Sequence, residues 1–197
     1  PYCTSGSTAS VTLTGSTGGT FSSAAGLSIN SSTGAVNLGA STPGTYTVTY
    51  AIAAAGGCAA FSTTASITVT AAPSASISYT GSPYCTSGST ASVTLTGSTG
   101  GTFSSAAGLS INSSTGAVNL GASTPGTYTV TYAIAAAGGC AAFSTTASIT
   151  VTAAPSASIS YAGSPYCTSG STASVTLTGS TGGTFSSAAG LSINSST

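Results

Sequence analysis

The sequence predicts an all-β protein built from tandem β-sandwich units of about seven short strands each. Three observations predict this class: a long internal repeat, strict alternation of apolar residues with Ser or Thr, and turns that contain Gly or Pro. The motif that begins at Pro1 returns at Pro83 and at Pro165, which sets a period of 82 residues. Two full copies differ at a single position, Thr80 against Ala162. Because solenoid units span about 20–45 residues, a period of this length indicates a small domain.

Within one copy, the alternating segments predict strands that have one buried side and one solvent-facing side. Thr on the outer side favours a strand, because its branched Cβ suits a pleated surface. Residues 113–116 separate two of the segments and predict a hairpin loop in which Gly116 adopts a positive φ. In the complete copy, the predicted strands cover residues 76–79, 92–96, 101–104, 109–112, 117–120, 128–134 and 147–152.

The Ala-Ala-Pro segments mark the predicted boundaries between copies, because proline cannot donate to a strand ladder. We expect a repeat that lacks its first strand over residues 1–72, a complete repeat over 73–154, and the N-terminal part of a third repeat over 155–197. We call these segments repeat 1, repeat 2 and repeat 3. Two explanations of the incomplete repeats stay open: the sequence is an excerpt of a longer array, or neighbouring chains supply the missing strands.

The chain contains no Lys, Arg, Asp, Glu or His. No side chain is therefore an ordinary general acid or base at neutral pH, and no carboxylate or imidazole is present to bind a metal. Without cations to neutralise phosphates, nucleic-acid binding is not expected. The longest segment free of Ser, Thr and Asn, residues 132–143, is too short for a membrane span. We expect neither an enzyme nor any cofactor.

Several motifs of the complete copy resemble those of a known family. Residues 108–116 and 125–130 are similar to the core of bacterial immunoglobulin-like tandem repeats. Residues 81–85 and 138–140 narrow the resemblance to giant secreted surface proteins of the gliding-bacteria (Bacteroidota) type. The resemblance covers the whole chain and implies immunoglobulin-like sandwiches in an extracellular adhesin or surface fibre, exported by a dedicated secretion system. It implies no catalytic residues.

Two cysteines in each full repeat predict disulfide bonds. Zinc is not expected, because the chain has neither His nor a Cys-x-x-Cys spacing. No base or cation is present to lower a thiol pKa and make a cysteine reactive. Disulfide bonds in turn imply an oxidising compartment. The predicted disulfide cysteines are Cys3, Cys58, Cys85, Cys140 and Cys167.

Three pairings of these cysteines stay open. In an immunoglobulin-like topology, Cys85 follows the first strand and Cys140 lies in the last hairpin, so the two lie at opposite ends of one repeat. This placement favours a bond across a repeat junction, such as Cys3 with Cys140. A bond between Cys85 and Cys140 is the second alternative, and it requires a first strand that is split and turns back. Cys58 with Cys85 is the third.

Tyrosines and an apolar tip are the other candidate sites. Tyr46 and Tyr128 are predicted to form tyrosine corners, in which the hydroxyl bonds the backbone where the strand enters the sandwich. Tyr84 is expected to pack at a junction, with stacking on a carbohydrate as the alternative. An apolar loop tip is unusual on a soluble monomer, which predicts a contact at a junction or between chains. The predicted tip residues are Ala135, Ala136, Ala137, Gly138, Gly139, Ala141 and Ala142.

These observations predict a structural protein: a repeat of an extracellular filament or cell-surface fibre, held by disulfides and by packing between neutral domains. Its expected partner is itself, because a surface without charge lacks the repulsion that keeps domains apart. The alternative is an adhesin stalk whose repeats also bind polysaccharide or a surface.

Overall fold

The fold is all-β, as the sequence predicts. The computed structural model describes residues 1–170 and 172–196, and this part of the chain contains sixteen β-strands and no helix. It accordingly contains no helix long and apolar enough to cross a membrane. The strands of repeat 1 are β1 Tyr2–Cys3, β2 Thr8–Ala9, β3 Thr20–Ser23, β4 Val36–Asn37, β5 Gly44–Ile52 and β6 Phe61–Thr70.

Repeat 2 contains eight strands and repeat 3 contains two in the described part of the chain. The strands of repeat 2 are β7 Ala75–Ser78, β8 Tyr84–Cys85, β9 Thr90–Ala91, β10 Thr94–Gly97, β11 Thr102–Ser105, β12 Val118–Asn119, β13 Gly126–Ile134 and β14 Phe143–Thr152. The strands of repeat 3 are β15 Ala157–Tyr161 and β16 Val175–Gly179.

Repeat 2 is a two-layer sandwich. One layer is a four-stranded sheet in the order β11-β13-β14-β8, in which β8 runs parallel to β14 and the other pairs are antiparallel. The facing layer consists of two antiparallel pairs, β7 with β10 and β9 with β12. One core fills the space between the layers, with Ile77 and Val118 from the paired strands and Val130, Tyr132 and Ile149 from the four-stranded sheet.

Alternation of residue types along the strands produces this core. On β13, Val130 and Tyr132 are buried, whereas Thr127 and Thr129 face the solvent. The hydroxyl of Thr127 lies 3.0 Å from that of Thr150 on the neighbouring strand. The outer threonines therefore form hydrogen bonds with one another across the sheet, while the apolar residues of the other face pack inward.

The predicted hairpin loop at Gly116 is confirmed. Ile111 forms an antiparallel bridge with Val118, and the side-chain oxygen of Asn112 accepts two backbone N–H groups of the loop, each at 2.9 Å. Gly116 has a φ of 72°, and a Cβ there would lie 2.6 Å from Cγ1 of Val93. Glycine is needed at this position both for its φ and for the close packing around it.

The strand predicted over residues 109–112 is wrong. Only Ile111 makes a ladder contact, while the backbone N–H of Ser110 donates to the buried hydroxyl of Ser123 at 3.0 Å. The backbone N–H of Asn119 donates to the Ser110 carbonyl, and that of Asn112 donates to the Ala117 carbonyl, so the segment still pairs with the chain around β12, but through one isolated bridge and not through a continuous ladder. Strands β8 and β9 were missed, because two residues are too few to show a period.

Repeat 1 has the same four-stranded sheet but an incomplete second layer. Its sheet order β1-β6-β5-β3 corresponds, 82 residues earlier, to β8-β14-β13-β11, and its pair β2 with β4 corresponds to β9 with β12. Residues 12–15 have the same sequence as β10 but form no strand. In repeat 2, β10 pairs with β7, and among the described residues of repeat 1 no strand takes the place of β7.

Among the described residues, repeat 3 contains the strand pair that repeat 1 lacks, without the four-stranded sheet. Its strands β15 and β16 correspond to β7 and β10 and pair in the same antiparallel register, from Ala157 opposite Gly179 to Tyr161 opposite Val175. All five residues of β15 are exposed, because no four-stranded sheet covers this pair within the described residues. The equivalent of β7 is therefore absent from repeat 1, whereas in repeat 3 it is present as β15 and is exposed.

Candidate functional site

The junction between repeats 1 and 2 contains a disulfide bond. Cys3 ends strand β1, and Cys140 closes the tip of the hairpin between β13 and β14. Their sulfur atoms are 2.05 Å apart and their Cα atoms 4.7 Å apart, although 137 positions separate them in the sequence. Both side chains are buried. Of the three pairings left open by the sequence, the structure contains the one across the junction.

A tight glycine turn brings Cys140 to the junction. Ala137 and Cys140 form a two-residue hairpin end, in which Gly138 has a φ of 59° and Gly139 a φ of 79°. This pattern of two positive φ values is that of a type I′ turn, which matches the twist of the flanking strands. A Cβ at Gly139 would lie 2.5 Å from the carbonyl oxygen of Pro1. Glycine thus allows the turn and also allows the backbone of repeat 1 to approach it.

The receiving strand is anchored on the last strand of its own repeat. Strand β1 lies parallel to β6, the backbone N–H of Thr4 donates to the Thr70 carbonyl at 2.9 Å, and the N–H of Ala72 donates to the Thr4 hydroxyl at 2.9 Å. The sulfur of Cys140 lies 3.4 Å from the carbonyl oxygen of Ala71. The hairpin tip of repeat 2 therefore contacts both β1 and the linker that leaves repeat 1.

The cysteine at the end of β1 and its equivalents share a serine two residues later. The Ser5 hydroxyl lies 3.1 Å from the sulfur of Cys3, and Ser87 is placed in the same way beside Cys85. Hydrogen bonds from the Ser87 hydroxyl and then its backbone hold the pKa of the half-buried Cys85 thiol below its ordinary value. A thiolate stabilised in this way attacks disulfides more readily than a neutral thiol.

Two of the five predicted disulfide cysteines, Cys3 and Cys140, are bonded to each other in the structure. Cys58, Cys85 and Cys167 are free. The reason is the offset of the observed bond: a partner 137 residues away would fall outside residues 1–197 for each of these three cysteines. The pairings of Cys85 with Cys140 and of Cys58 with Cys85 within one chain are not formed.

The predicted contact residues of the tip are only partly engaged. Gly138 and Gly139 lie against Thr70 and the first residues of repeat 1, as the distances from their backbones show. Among the flanking alanines, every one stays exposed in the described part of the chain. These alanines are Ala135, Ala136, Ala137, Ala141 and Ala142. The contact is made by the Gly-Gly-Cys turn because only residues without a bulky side chain fit against the backbone of β1.

Tyr84 lies in repeat 2 and not at the junction that the structure contains. Its side chain is half-buried against the core of repeat 2, and its hydroxyl accepts the backbone N–H of Gly81 at 3.1 Å. Its equivalent in repeat 1, Tyr2, is the residue at the junction, where its Cα is 3.0 Å from the Cβ position of Gly139. The junction thus uses the backbone next to this tyrosine, while the ring of Tyr84 packs within its own repeat.

Tyr46 and Tyr128 both bond the backbone four residues upstream. The Tyr128 hydroxyl donates to the Thr124 carbonyl at 2.8 Å, and the Tyr46 hydroxyl donates to the Thr42 carbonyl at the same distance. These are the contacts that define a tyrosine corner. They fix the start of β13 and β5, and neither ring contributes to the junction.

An open groove in repeat 1 was not anticipated as a binding site. It has a volume of about 660 Å³ and lies between residues 11–16 and the strands β5 and β6, with Phe21 and Tyr50 in its floor. The only signal in the sequence was the phase of the repeat, which leaves residues 1–72 without a first strand. Neither a family model nor a curated protein matches the chain.

Proposed function

We propose that this chain is a structural repeat of an extracellular bacterial filament or surface fibre, in which disulfides and neutral packing hold successive domains together. The observation that carries this proposal is the bond between Cys3 and Cys140. It gives two consecutive repeats a second covalent connection in addition to the peptide linker.

Two connections at one junction restrict bending and twisting more than a linker can. Residues 71–74 alone would act as a short hinge. The turn at Gly138 and Gly139 rests on β1 and Thr70, while the disulfide prevents it from leaving. A chain of repeats joined in this way is an elongated and stiff object, which is the property that a fibre requires.

The absence of charge supports the other element of the proposal, which is packing between neutral domains. Two surfaces with no Lys, Arg, Asp or Glu neither repel one another at long range nor lose attraction when salt is added. Side-by-side association then depends on hydroxyl and apolar contacts alone. The exposed alanines around the turn provide small apolar surfaces for such contacts.

Electron microscopy of the oxidised protein tests the proposal. We expect elongated particles that associate into filaments at high protein concentration, with no dependence on NaCl concentration. Cys140→Ser should give visibly bent particles, and Cys167→Ser serves as the matched control because Cys167 is free and exposed. Well-dispersed, isolated monomers at high concentration and neutral pH would contradict the proposal.

Secretion is the other part of the proposal and has its own test. The junction disulfide needs an oxidising compartment. Protein expressed in the bacterial cytosol should contain reduced Cys3 and Cys140, and protein exported to the periplasm should contain the bond, as thiol labelling and mass spectrometry would measure. Failure of the bond to form after export would argue against an extracellular role.

A further inference from the structure

The paired-strand layer of repeat 2 carries a shallow groove on its surface. The groove has a volume of about 370 Å³ and lies along β12 and the segment around Ile111 that bridges to it. We call it the polar groove. Its lining residues are Thr90, Ser110, Ile111, Asn112, Ala117 and Asn119. All six belong to repeat 2, so the groove is built without any contribution from repeat 1 or repeat 3.

Backbone pairing places the lining residues side by side. Asn119 on β12 lies directly opposite Thr90 on β9, and both residues are exposed. On the other flank, the backbone N–H of Asn119 donates to the Ser110 carbonyl at 2.8 Å, and that of Asn112 donates to the Ala117 carbonyl at 2.9 Å. The polar groove therefore crosses three backbone segments that hydrogen bonds hold in register.

Backbone hydrogen bonds also fix the orientation of both asparagine amides. Oδ1 of Asn112 accepts the N–H groups of Ser114 and Thr115, each at 2.9 Å, and Oδ1 of Asn119 accepts the N–H of Ala122 at 3.2 Å. A backbone N–H can only donate, so these partners require the oxygen of each amide and leave its Nδ2 group unused. Within the described residues, neither Nδ2 group donates to another protein atom. Two amide donors with a set direction thus lie at the polar groove.

Two hydroxyls and a small apolar area complete the lining. The hydroxyls of Thr90 and Ser110 can each donate and accept a hydrogen bond. Ala117 and Ile111 add apolar surface beside them. A few placed polar groups with some apolar surface are typical of small-molecule sites. This combination fits a sugar ring, which has oxygen atoms around its edge and C–H groups on its faces.

The absence of charge narrows the class of ligand. The chain has no Lys or Arg to pair with a phosphate, sulfate or carboxylate group, and no Asp or Glu to pair with an amine or a metal ion. A charged ligand would lose water at the groove without gaining a charged partner. The lining therefore favours a neutral saccharide over a charged one.

The same arrangement recurs in repeat 1. Oδ1 of Asn30 accepts the N–H groups of the residues two and three positions later, at 2.9 and 3.0 Å, and Oδ1 of Asn37 accepts the N–H of Ala40 at 3.2 Å. Asn37 lies opposite Thr8, as Asn119 lies opposite Thr90. Two equivalent sets of donors on one chain can bind two units of the same polysaccharide, which raises the apparent affinity without any new contact.

We propose that the polar groove binds a neutral saccharide, with the Nδ2 groups of Asn112 and Asn119 as donors to its oxygen atoms. This inference goes beyond the proposed fibre, because it gives a repeat a ligand of its own whether or not filaments form. It also provides a place for the polysaccharide contact of the adhesin alternative. No charged group takes part, so binding does not depend on NaCl concentration.

The asparagine side chains provide a direct readout. The chain contains five asparagines and no glutamine, so the side-chain NH₂ region of a ¹⁵N–¹H NMR spectrum contains only five pairs of signals. Dilute oxidised protein is titrated with four neutral oligosaccharides: maltohexaose, cellohexaose, mannohexaose and chitohexaose. We expect at least one of them to shift the Asn112 and Asn119 side-chain signals in a saturable way. No shift with any of the four would overturn the proposal.

A variant that keeps the loops and removes the donors sharpens the test. In Asn112→Asp with Asn119→Asp, each carboxylate still accepts the backbone N–H groups that Oδ1 accepts in the unchanged protein, but it has no N–H to donate. Shifts of the backbone amides over residues 110–119 should be lost, while the side-chain signals of Asn30 and Asn37 in repeat 1 should still respond. Unchanged shifts over residues 110–119 would overturn the proposal.

Two controls separate lost donors from added charge. Thr129→Asp adds the same charge to an exposed position on the four-stranded sheet, outside the polar groove, and should leave every shift in place. Equal loss in this variant would overturn the assignment of the donors. A sulfated heparin hexasaccharide should give no shift over residues 110–119, and binding equal to that of the neutral sugars would contradict the ligand class. Filament formation is measured separately, so failure here leaves the fibre proposal as it stands.

Discussion

Repeats 1 and 2 have the same sequence over residues 1–72 and 83–154, yet they differ in how well they bury it. Ile149 is fully buried, whereas Ile67, its equivalent, is only partly buried, and the same holds for Val130 and Val48. The difference arises from ten residues, 73–82, which provide the first strand to repeat 2. One short strand therefore determines whether the core side chains of the sandwich are fully buried.

The comparison also shows that strand formation is not a local property here. Thr-Leu-Thr-Gly is a strand at Thr94–Gly97 and an irregular segment at residues 12–15. The sequences are identical, so the presence of β7 as a hydrogen-bond partner decides the outcome. Propensity and alternation are necessary for these strands but are overridden when one neighbour is missing.

Removal of the junction bond should have the largest effect on stability. Cys140→Ser opens a loop closed over 137 positions, and loop entropy predicts a loss of about 4–5 kcal/mol for unfolding of the two repeats together. Cys58→Ser changes the equivalent residue of repeat 1, which is free, and should cost almost nothing in dilute monomer. Urea unfolding followed by circular dichroism measures both. Similar midpoints for the two variants would show that the bond does not stabilise the junction.

Truncation of the equivalent core isoleucines, Ile149 and Ile67, should have the second largest effect on stability, and this effect should differ between the two repeats. Ile149→Ala removes a fully buried side chain and should cost about 2–5 kcal/mol. Ile67→Ala should cost clearly less, because that side chain is only partly buried. The same urea experiment, with the change assigned to the higher or lower of two transitions, measures the difference. Equal losses would mean that the groove of repeat 1 is closed in solution.

The glycine turn offers a smaller and more specific comparison. Gly139→Ala and Gly57→Ala share the strain of a positive φ, at 79° and 83°, which costs about 1 kcal/mol in each. Only Gly139→Ala also places a methyl group 2.5 Å from the Pro1 carbonyl oxygen. We expect slower and incomplete formation of the Cys3–Cys140 bond in Gly139→Ala alone, measured by quenched thiol labelling during oxidation. Identical oxidation of the two variants would exclude a role for this close approach.

The buried tyrosine hydroxyl should give the smallest effect at neutral pH and a distinct one at high pH. Tyr79→Phe removes the hydrogen bond to Gly116 and should cost about 1 kcal/mol. Burial, and then the nearby Tyr84, raise the pKa of Tyr79 from 10.0 to about 12. Because the unfolded tyrosine ionises first, its contribution is fully present below about pH 10 and is lost as the pH rises towards 12.

Unfolding of repeat 2 should therefore become more favourable between these two pH values, and Tyr79→Phe should lose this dependence. Tyr161→Phe is the control, because Tyr161 is the same residue in the exposed strand β15. Urea titrations at each pH, in a variant with Cys58, Cys85 and Cys167 changed to Ser, measure the effect. A pH dependence that survives Tyr79→Phe would assign it to another group.

Much of the fold follows from the sequence, because residue alternation has a direct physical meaning. The strands β13 and β14, the hairpin at Gly116 and the all-β class are all readable from the positions of apolar residues, threonines and glycines. Strand β8 was not readable, because its two residues are held by a parallel neighbour that lies almost 70 positions later in the chain. Parallel pairing of so short a segment leaves no local pattern.

The candidate site was predictable in part. The placement of Cys140 in a hairpin and of Cys3 after a first strand indicated a bond across a junction, and the structure contains that bond. The role of Gly139 could not be predicted, since it depends on how closely the Pro1 backbone approaches. No local pattern indicates the groove of repeat 1, because the same segment in repeat 2 has none; the phase of the repeat, which leaves residues 1–72 without a first strand, is the one signal for it.

The junction disulfide also determines how tension passes through the chain. If the ends are pulled, force enters at Cys3 and crosses the sulfur–sulfur bond directly to Cys140, so the whole polypeptide between them is out of the path. Those 137 positions would otherwise unravel to roughly 450 Å at about 3.3 Å per residue. The bond removes this slack, so repeat 1 can unfold without lengthening the molecule. Between Cys3 and Cys140 the chain therefore cannot lengthen under tension while the bond is intact.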